Sequence, residues 1–208
     1  GKEQWTMSAV QARFFGDDGV IFDVTGDKGV VDEKSKNMQV TGNVVTRSSN
    51  GYVFRTESVY YVSGERKLSS PEKVDMVGPR DARGESLSLS GGSMEANLTT
   101  SMMEVKQDVL ARKTFQGGKK AVIRSQRSQF SGRSNYARFL DNVIIDVETM
   151  RLTGPDAIFK YSPKKDVVTN MLVQGGVRVS DVNKWATSQQ VNVFFESDKF
   201  VFKGRPRV

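Results

Sequence analysis

Met38-Gln39-Val40-Thr41-Gly42-Asn43-Val44 returns twice in degenerate form. The copies are Met103-Glu104-Val105-Lys106-Gln107-Asp108-Val109 and Met171-Leu172-Val173-Gln174-Gly175-Gly176-Val177, at intervals of 65 and 68 residues. A second marker, an aliphatic residue followed by Ser or Thr and then Gly, precedes each copy: Val24-Thr25-Gly26, Leu89-Ser90-Gly91 and Leu152-Thr153-Gly154. From its Gly to the following Met is 12, 12 and 17 residues, so the last copy carries an insertion. Two markers kept in order three times describe a chain assembled from repeated supersecondary units.

The hydrophobic period within these units is two. Val20, Phe22 and Val24 alternate with Ile21, Asp23 and Thr25, and Val143, Ile145 and Val147 alternate with Asn142, Ile144 and Asp146. Ala157-Phe159-Tyr161, Val191-Val193-Phe195 and Phe200-Phe202 continue the pattern, which sends alternate side chains to opposite faces of a sheet. Ser49-Asn50-Gly51, Ser63-Gly64, Gly78-Pro79, Gly117-Gly118, Gly154-Pro155, Ser162-Pro163 and Gly204 punctuate the runs and predict a long series of short antiparallel strands. Residues 93–116 hold neither Gly nor Pro, and Met94, Leu98, Met102, Val105 and Val109 recur at helical spacing. The repeat decides for strand there, because Met103, Val105 and Val109 occupy positions that read as strand in the other two copies.

A chain of 208 residues can bury a core without covalent staples. Its mean hydropathy of −0.45 predicts a folded protein with much exposed surface. Cys and His are both absent, which removes disulfides, thiolate metal sites, the usual general base and the commonest metal ligand. No apolar run approaches the roughly 20 residues that span a bilayer. The net charge of +7 is concentrated: between Asp108 and Asp141 there is no acidic residue, while Arg112, Lys113, Lys119, Lys120, Arg124, Arg127, Arg133 and Arg138 are basic. Such a stretch is either a solvated, charge-blunted edge or linker, or an attractor of nucleic acid, anionic lipid or phosphorylated saccharide.

Catalytic motifs do not assemble. Gly117-Gly118-Lys119-Lys120 lacks the earlier Gly and the Ser or Thr after Lys that a phosphate loop requires, and reads as a flexible turn. Acidic neighbours such as Asp17 with Asp18 and Asp23 with Asp27 are what scattered carboxylates produce by chance, although glycoside hydrolysis asks only for such a pair. The sequon Asn97-Leu98-Thr99 carries no weight alone. Phe115, Phe130, Tyr136 and Phe139 interleave with the basic stretch as in a single-strand nucleic-acid groove, in which affinity would depend on Arg124, Arg127 and Arg133 and fall steeply with salt. Phe130 and Phe139 equally fit an alternating strand with its rings turned inward.

The order of these elements resembles the OstA-like domain of the LptC and LptA lipopolysaccharide export proteins. The resemblance is carried by Met-x-Val-x-Gly-x-Val, by the aromatic starts Gly51-Tyr52 and Lys184-Trp185, and by Thr56-Glu57-Ser58-Val59-Tyr60-Tyr61 and Ser188-Gln189-Gln190-Val191-Asn192-Val193. Residues of about 10 to 112 resemble LptC. Residues of about 125 to 208 resemble LptA, where Asn142-Val143, Leu152-Thr153-Gly154, Val173-Gln174-Gly175-Gly176-Val177 and Gly204-Arg205-Pro206-Arg207-Val208 fall where that family places β-turns and glycines. Gln107-Asp108 departs from the family's Gly-Asn, and both chain ends are expected to be trimmed relative to the family.

The resemblance implies an all-β fold, a twisted, open-ended antiparallel β-jellyroll, with an LptC-like unit over residues 1–115 and a C-terminally incomplete LptA-like unit over residues 116–208. It implies a non-enzymatic, cofactor-free periplasmic bridge for lipopolysaccharide, held at the inner membrane by an N-terminal helix absent from this chain. Partners would be lipid A, other bridge proteins and the inner-membrane transporter complex, with edge-to-edge self-association and no nucleic acid. An unfilled apolar groove would shield acyl chains, each of which, at about a dozen methylenes, would cost on the order of 10 kcal/mol to expose. The residues expected to line it are Phe22, Val24, Val40, Val44, Val59, Tyr61, Val105, Val109, Phe139, Val143, Ile145, Val147, Phe159, Val173, Val177, Val193 and Phe202. A β-repeat structural or adhesion scaffold, whose apolar face is plain core, is the alternative.

Overall fold

The alternating runs become strands, and each strand pairs with the next along the chain. The structure, a computed structural model, describes residues 3–131, 136–162 and 167–208. Among these residues one antiparallel sheet is formed by β1 (Gln4–Phe15), β2 (Ile21–Asp32), β3 (Met38–Ser48), β4 (Val53–Val62), β5 (Lys67–Ser70), β6 (Val74–Arg80), β7 (Ser86–Gly91), β8 (Ser93–Asn97), β9 (Met102–Thr114), β10 (Lys120–Ser131), β11 (Tyr136–Val147), β12 (Met150–Tyr161), β13 (Val168–Asp181), β14 (Lys184–Phe194) and β15 (Lys199–Lys203). β5 and β6 follow one line beside β4, interrupted at Pro71-Glu72-Lys73. β7 and β8 follow the next line, interrupted at Gly92. The topology is therefore a meander from β1 to β15, with those two strands leaving an edge unpaired. No helix among the described residues is long and apolar enough to cross a membrane.

Strand length corrects the sequence reading. Most strands are long rather than short, because several of the predicted breakers bend a strand without ending it; β5 to β8 and β15 stay short. Gly154-Pro155 lies inside β12 and Gly78-Pro79 inside β6, whereas Ser49-Asn50-Gly51, Ser63-Gly64 and Gly117-Gly118 do fall in connections; Pro163 lies outside the described residues. The positions read as β-turns at the repeat glycines are instead bulges within strands. Gly42-Asn43 (φ 80° and 48°), Gln107-Asp108 (68° and 50°), Asp141-Asn142 (64° and 55°) and Gly175-Gly176 (91° and 97°) are consecutive left-handed pairs at which the pairing register shifts. A bulge leaves its extra residue unpaired and turns the strand. Because these bulges neighbour one another across the sheet, they form a crease that divides the strands into two leaves.

The leaves fold face to face. Phe14 at the end of β1 packs on Tyr61 in the opposite half of β4, with ring centroids 4.5 Å apart. Tyr52 meets Phe130 at 5.7 Å, and Phe115 stacks on Phe195 at 4.2 Å. At one end the β1–β2 turn docks on the β8–β9 turn: Asp17 N donates to Leu98 O at 2.9 Å, and the Arg66 guanidinium donates to Phe15 O and to the Asp17 carboxylate.

The two sequence markers touch. A Cβ on Gly26 would lie 2.4 Å from Val40 Cγ1, one on Gly91 2.4 Å from Val105 Cγ1, and one on Gly154 2.9 Å from Val173 Cγ1. Each marker glycine thus seats the valine of its own Met-x-Val copy at the crease, which is why the two signatures travel together.

Candidate functional site

Pairing in register turns period-two alternation into continuous apolar rows. On the first leaf one row runs Trp5, Val31, Met38, Tyr61, Leu68, Ala96, Met103, Phe130, Ala137, Phe159, Met171, Val193 and Phe200, one residue from each line of the meander, with no polar member. On the second leaf Ala12, Val24, Thr46, Phe54, Met76, Leu89, Ala111, Ile123, Ile145, Leu152, Val179 and Ala186 form the counterpart, interrupted only by Thr46. Cross-strand neighbours on one face stand about 4.5–5.5 Å apart, so each row is a contiguous strip of hydrocarbon.

Burial along the first row is graded. From Leu68 to Val193 no member is more than 5% exposed, while Val31, Met38, Tyr61 and Phe200 are half-buried and Trp5 on the edge strand is 64% exposed. The strip is closed in the middle, exposed at the β1 edge and half-open at the β15 edge.

The residues expected to line a groove all sit on these inner faces. Val40, Val59, Tyr61, Val105, Phe139, Phe159, Val173, Val193 and Phe202 belong to the first leaf, and Phe22, Val24, Val44, Val109, Val143, Ile145, Val147 and Val177 to the second. All are buried except Tyr61 and Phe202, which are half-buried. The expectation of an unfilled interior is corrected here. Phe22, Phe130, Phe139, Ile145 and Val173 have no surface a water molecule could touch, because the two leaves interdigitate. Only the half-buried border of the strip is therefore open to a ligand unless the leaves part.

Alternation on β1 and around Phe130 was the signal for Trp5, Met7 and Phe130, which complete the strip and were not among the expected residues. A further bulge copy, Phe139-Leu140-Asp141-Asn142-Val143, has neither the Met nor the Gly of the repeat; the resemblance points to Asn142-Val143, and the left-handed backbone of Asp141-Asn142 shows the bulge itself.

The basic stretch is largely neutralised by neighbouring strands. Arg124 binds Asp146 at 3.0 Å, Arg127 binds Asp141 at 2.6 Å, Lys119 binds Asp198 at 2.5 Å, and Arg138 grips Asp156 with two nitrogens at 2.9 and 2.8 Å. Arg133 lies outside the described residues. Asp146 is held below the usual carboxylate range by its hydrogen bond from Arg151, with Arg124 adding to it. Burial alone would raise Asp156, yet Arg138 and Gln174 bring it below its ordinary value. The stretch is a ladder of cross-strand ion pairs rather than a free cationic stripe.

Lys113 is buried, and its Nζ donates to Asp81 Oδ2 at 2.8 Å and to Glu85 O at 3.1 Å. Asp81 also accepts from the backbone N–H groups of Arg83 and Glu85. Burial pushes its carboxyl up, but Lys113 and the two amides outweigh that and lower it. The pair locks the β6–β7 turn onto β9.

Comparison with curated proteins finds no match. The family model described as "Lipopolysaccharide-assembly, LptC-related" matches residues 1–114, more than half of the chain. With that match over β1 to β9 and an all-antiparallel sheet enclosing an apolar strip, the chain belongs to the LptC-related lipopolysaccharide-assembly family.

Proposed function

We propose that this chain is a periplasmic segment of a lipopolysaccharide transport bridge. In this reading lipid A acyl chains travel along the apolar strip between the leaves, and the chain stacks edge to edge with other OstA-like domains through β1 and β15. The family supports the transport role; the shielding and the stacking are our reading. It rests on one observation, the first-leaf row that crosses the sheet with no polar member and emerges from full burial towards both edges, exposed at Trp5 and half-buried at Phe200. A track of this kind removes the repeated cost of wetting hydrocarbon, about 0.8 kcal/mol for each methylene. The protein contributes no bond-making chemistry in this role, and the energy comes from the inner-membrane transporter complex. An N-terminal membrane anchor belongs to the same proposal.

The LptC-like unit over residues 1–115 and the LptA-like unit over residues 116–208 are read as two bridge units in one chain. What supports this is that β9 and β10 pair from Met102 with Ser131 to Thr114 with Lys120, so the strip passes from one unit to the other without a gap.

The test is photo-crosslinking in Gram-negative cells with benzophenone side chains at Tyr61 and Phe202, the half-buried inward positions. Their neighbours Tyr60 and Val201, which alternate to the outer face, are the controls. Lipopolysaccharide should be captured at Tyr61 and Phe202 and not at Tyr60 or Val201. Equal capture on both faces, or none on either, would sink the proposal, and none on either would favour the scaffold reading that the tightly filled interior also fits.

A further inference from the structure

The geometry points to a binding site for a phosphorylated saccharide on the outer face of β13 to β15, centred on Arg178, Thr187 and Arg207. This goes beyond the acyl-chain reading, which concerns only the inner faces.

Arg178 pairs with Thr187, and Thr187 with Arg207, so the three lie in one row across adjacent strands with their side chains on one face. Strands are spaced about 4.8 Å apart, which places the two arginines roughly 10 Å from each other with a hydroxyl between them. Two guanidinium groups of that reach can converge on one phosphate. The row borders a cleft of about 500 Å³, within the ordinary range for small-ligand sites. Arg205 reaches the same cleft from the left-handed pair Gly204-Arg205 (φ 82° and 54°), and a Cβ on Gly176 at the bulge would meet nothing within 4 Å.

The lining of this cleft is cationic with no counterion. Arg178, Arg205 and Arg207, like Arg47, Arg55, Arg80 and Arg112, have no carboxylate partner among the described residues, but here three such arginines share one cleft and no acidic side chain lines it. The comparable cleft beside the bulge at Asn43 and Val44 mixes Arg55 and Lys73 with Glu57 and Asp75, so the fold does not dictate a cationic lining. Guanidinium is the side chain that matches phosphate geometry with paired N–H donors.

Trp185 adds the saccharide component. It lies two residues from Thr187 on the same face, remains 46% exposed, and holds the Arg178 guanidinium 5.1 Å from its ring centroid. That contact restrains Arg178, and the exposed ring offers an apolar surface to the face of a sugar.

The test is calorimetric titration of the full chain with glucosamine 6-phosphate, with glucosamine, and with lipid A in detergent micelles. Wild type is compared with R178Q/R207Q and with R55Q, which alters the mixed cleft, after circular dichroism confirms that each is folded. Saturable binding of the phosphorylated but not the neutral sugar is expected, weakened at least tenfold in R178Q/R207Q and unchanged in R55Q. If lipid A loses affinity in the same double variant, the site takes the headgroup of a lipid; if only the soluble sugar does, it takes a free phosphorylated saccharide. Absence of saturable binding of either, or equal weakening by R55Q, overturns the inference. Because glucosamine 6-phosphate has no acyl chain, that failure leaves the acyl-chain proposal standing.

Discussion

Gly91 is the seat of Val105: a Cβ built on Gly91 would stand 2.4 Å from Val105 Cγ1, closer than two carbons can approach. The same relation holds for Gly26 with Val40, so a degenerate sequence repeat is the record of a repeated steric contact. Gly91→Ala should therefore destabilise the fold by about 1–3 kcal/mol through overpacking. Combining it with Val105→Ala should recover part of the loss, with a coupling of at least about 0.5 kcal/mol in a double-mutant cycle. Urea unfolding of the four proteins measures both, and strict additivity would remove the contact as the cause.

Gln107 adopts φ 68° in the bulge where the first copy has Gly42. A side chain in the left-handed region costs roughly 1–2 kcal/mol, most for a β-branched residue. Gln107→Val should lower stability by about that amount, while Gln107→Gly should stay within about 1 kcal/mol of wild type because relief of strain offsets added freedom in the unfolded chain. Denaturant midpoints at unchanged m-value supply the comparison, and the reverse order of the two variants would refute the account.

Asp81 has a lowered carboxyl pKa despite its burial, because Lys113 and two backbone amides favour the charged form. A lowered folded-state pKa stabilises the protein above the unfolded value of about 3.9, and this contribution disappears as pH falls through the folded-state value. Asp146 and Asp156 act in the same direction. Stability should thus decline below about pH 4. Asp81→Asn, which strands the buried Lys113, should cost about 3–5 kcal/mol near neutral pH and flatten the acid limb of the profile. A variant whose acid limb matches wild type would show that the pair is not responsible.

Trp5 and Met7 point inward from β1, the strand whose outer edge is unpaired, yet they are 64% and 39% exposed. Inward-pointing charge is a way to block edge pairing. Under the stacking proposal, Trp5→Lys and Met7→Lys should shift sedimenting species of the full chain toward monomer while thermal unfolding changes little. Unchanged association would remove β1 as the docking edge.

Much of this architecture was legible in the chain. Alternation at Val143, Ile145 and Val147 exposed the inner face, and the order of Val24-Thr25-Gly26 before Met38-Gln39-Val40 exposed the repeat, since both are local consequences of a two-residue period and a fixed strand crossing. The crease was harder to read. Gln107-Asp108 and Asp141-Asn142 occupy the same left-handed backbone as Gly175-Gly176 with different side chains, so residue type alone did not mark them. The basic run from Arg112 to Arg138 was read as the charge excess because its counterions, Asp81, Asp146, Asp156 and Asp198, come from other segments.

Periodicity and the marker glycines determined an antiparallel sheet with one apolar face, because side-chain direction along a strand depends only on parity. Whether that face opens as a groove or closes on itself depended on two leaves meeting across the crease, where Tyr52 reaches Phe130 and Phe14 reaches Tyr61. Such contacts join residues far apart in the chain, and only the fold decides how fully they exclude water.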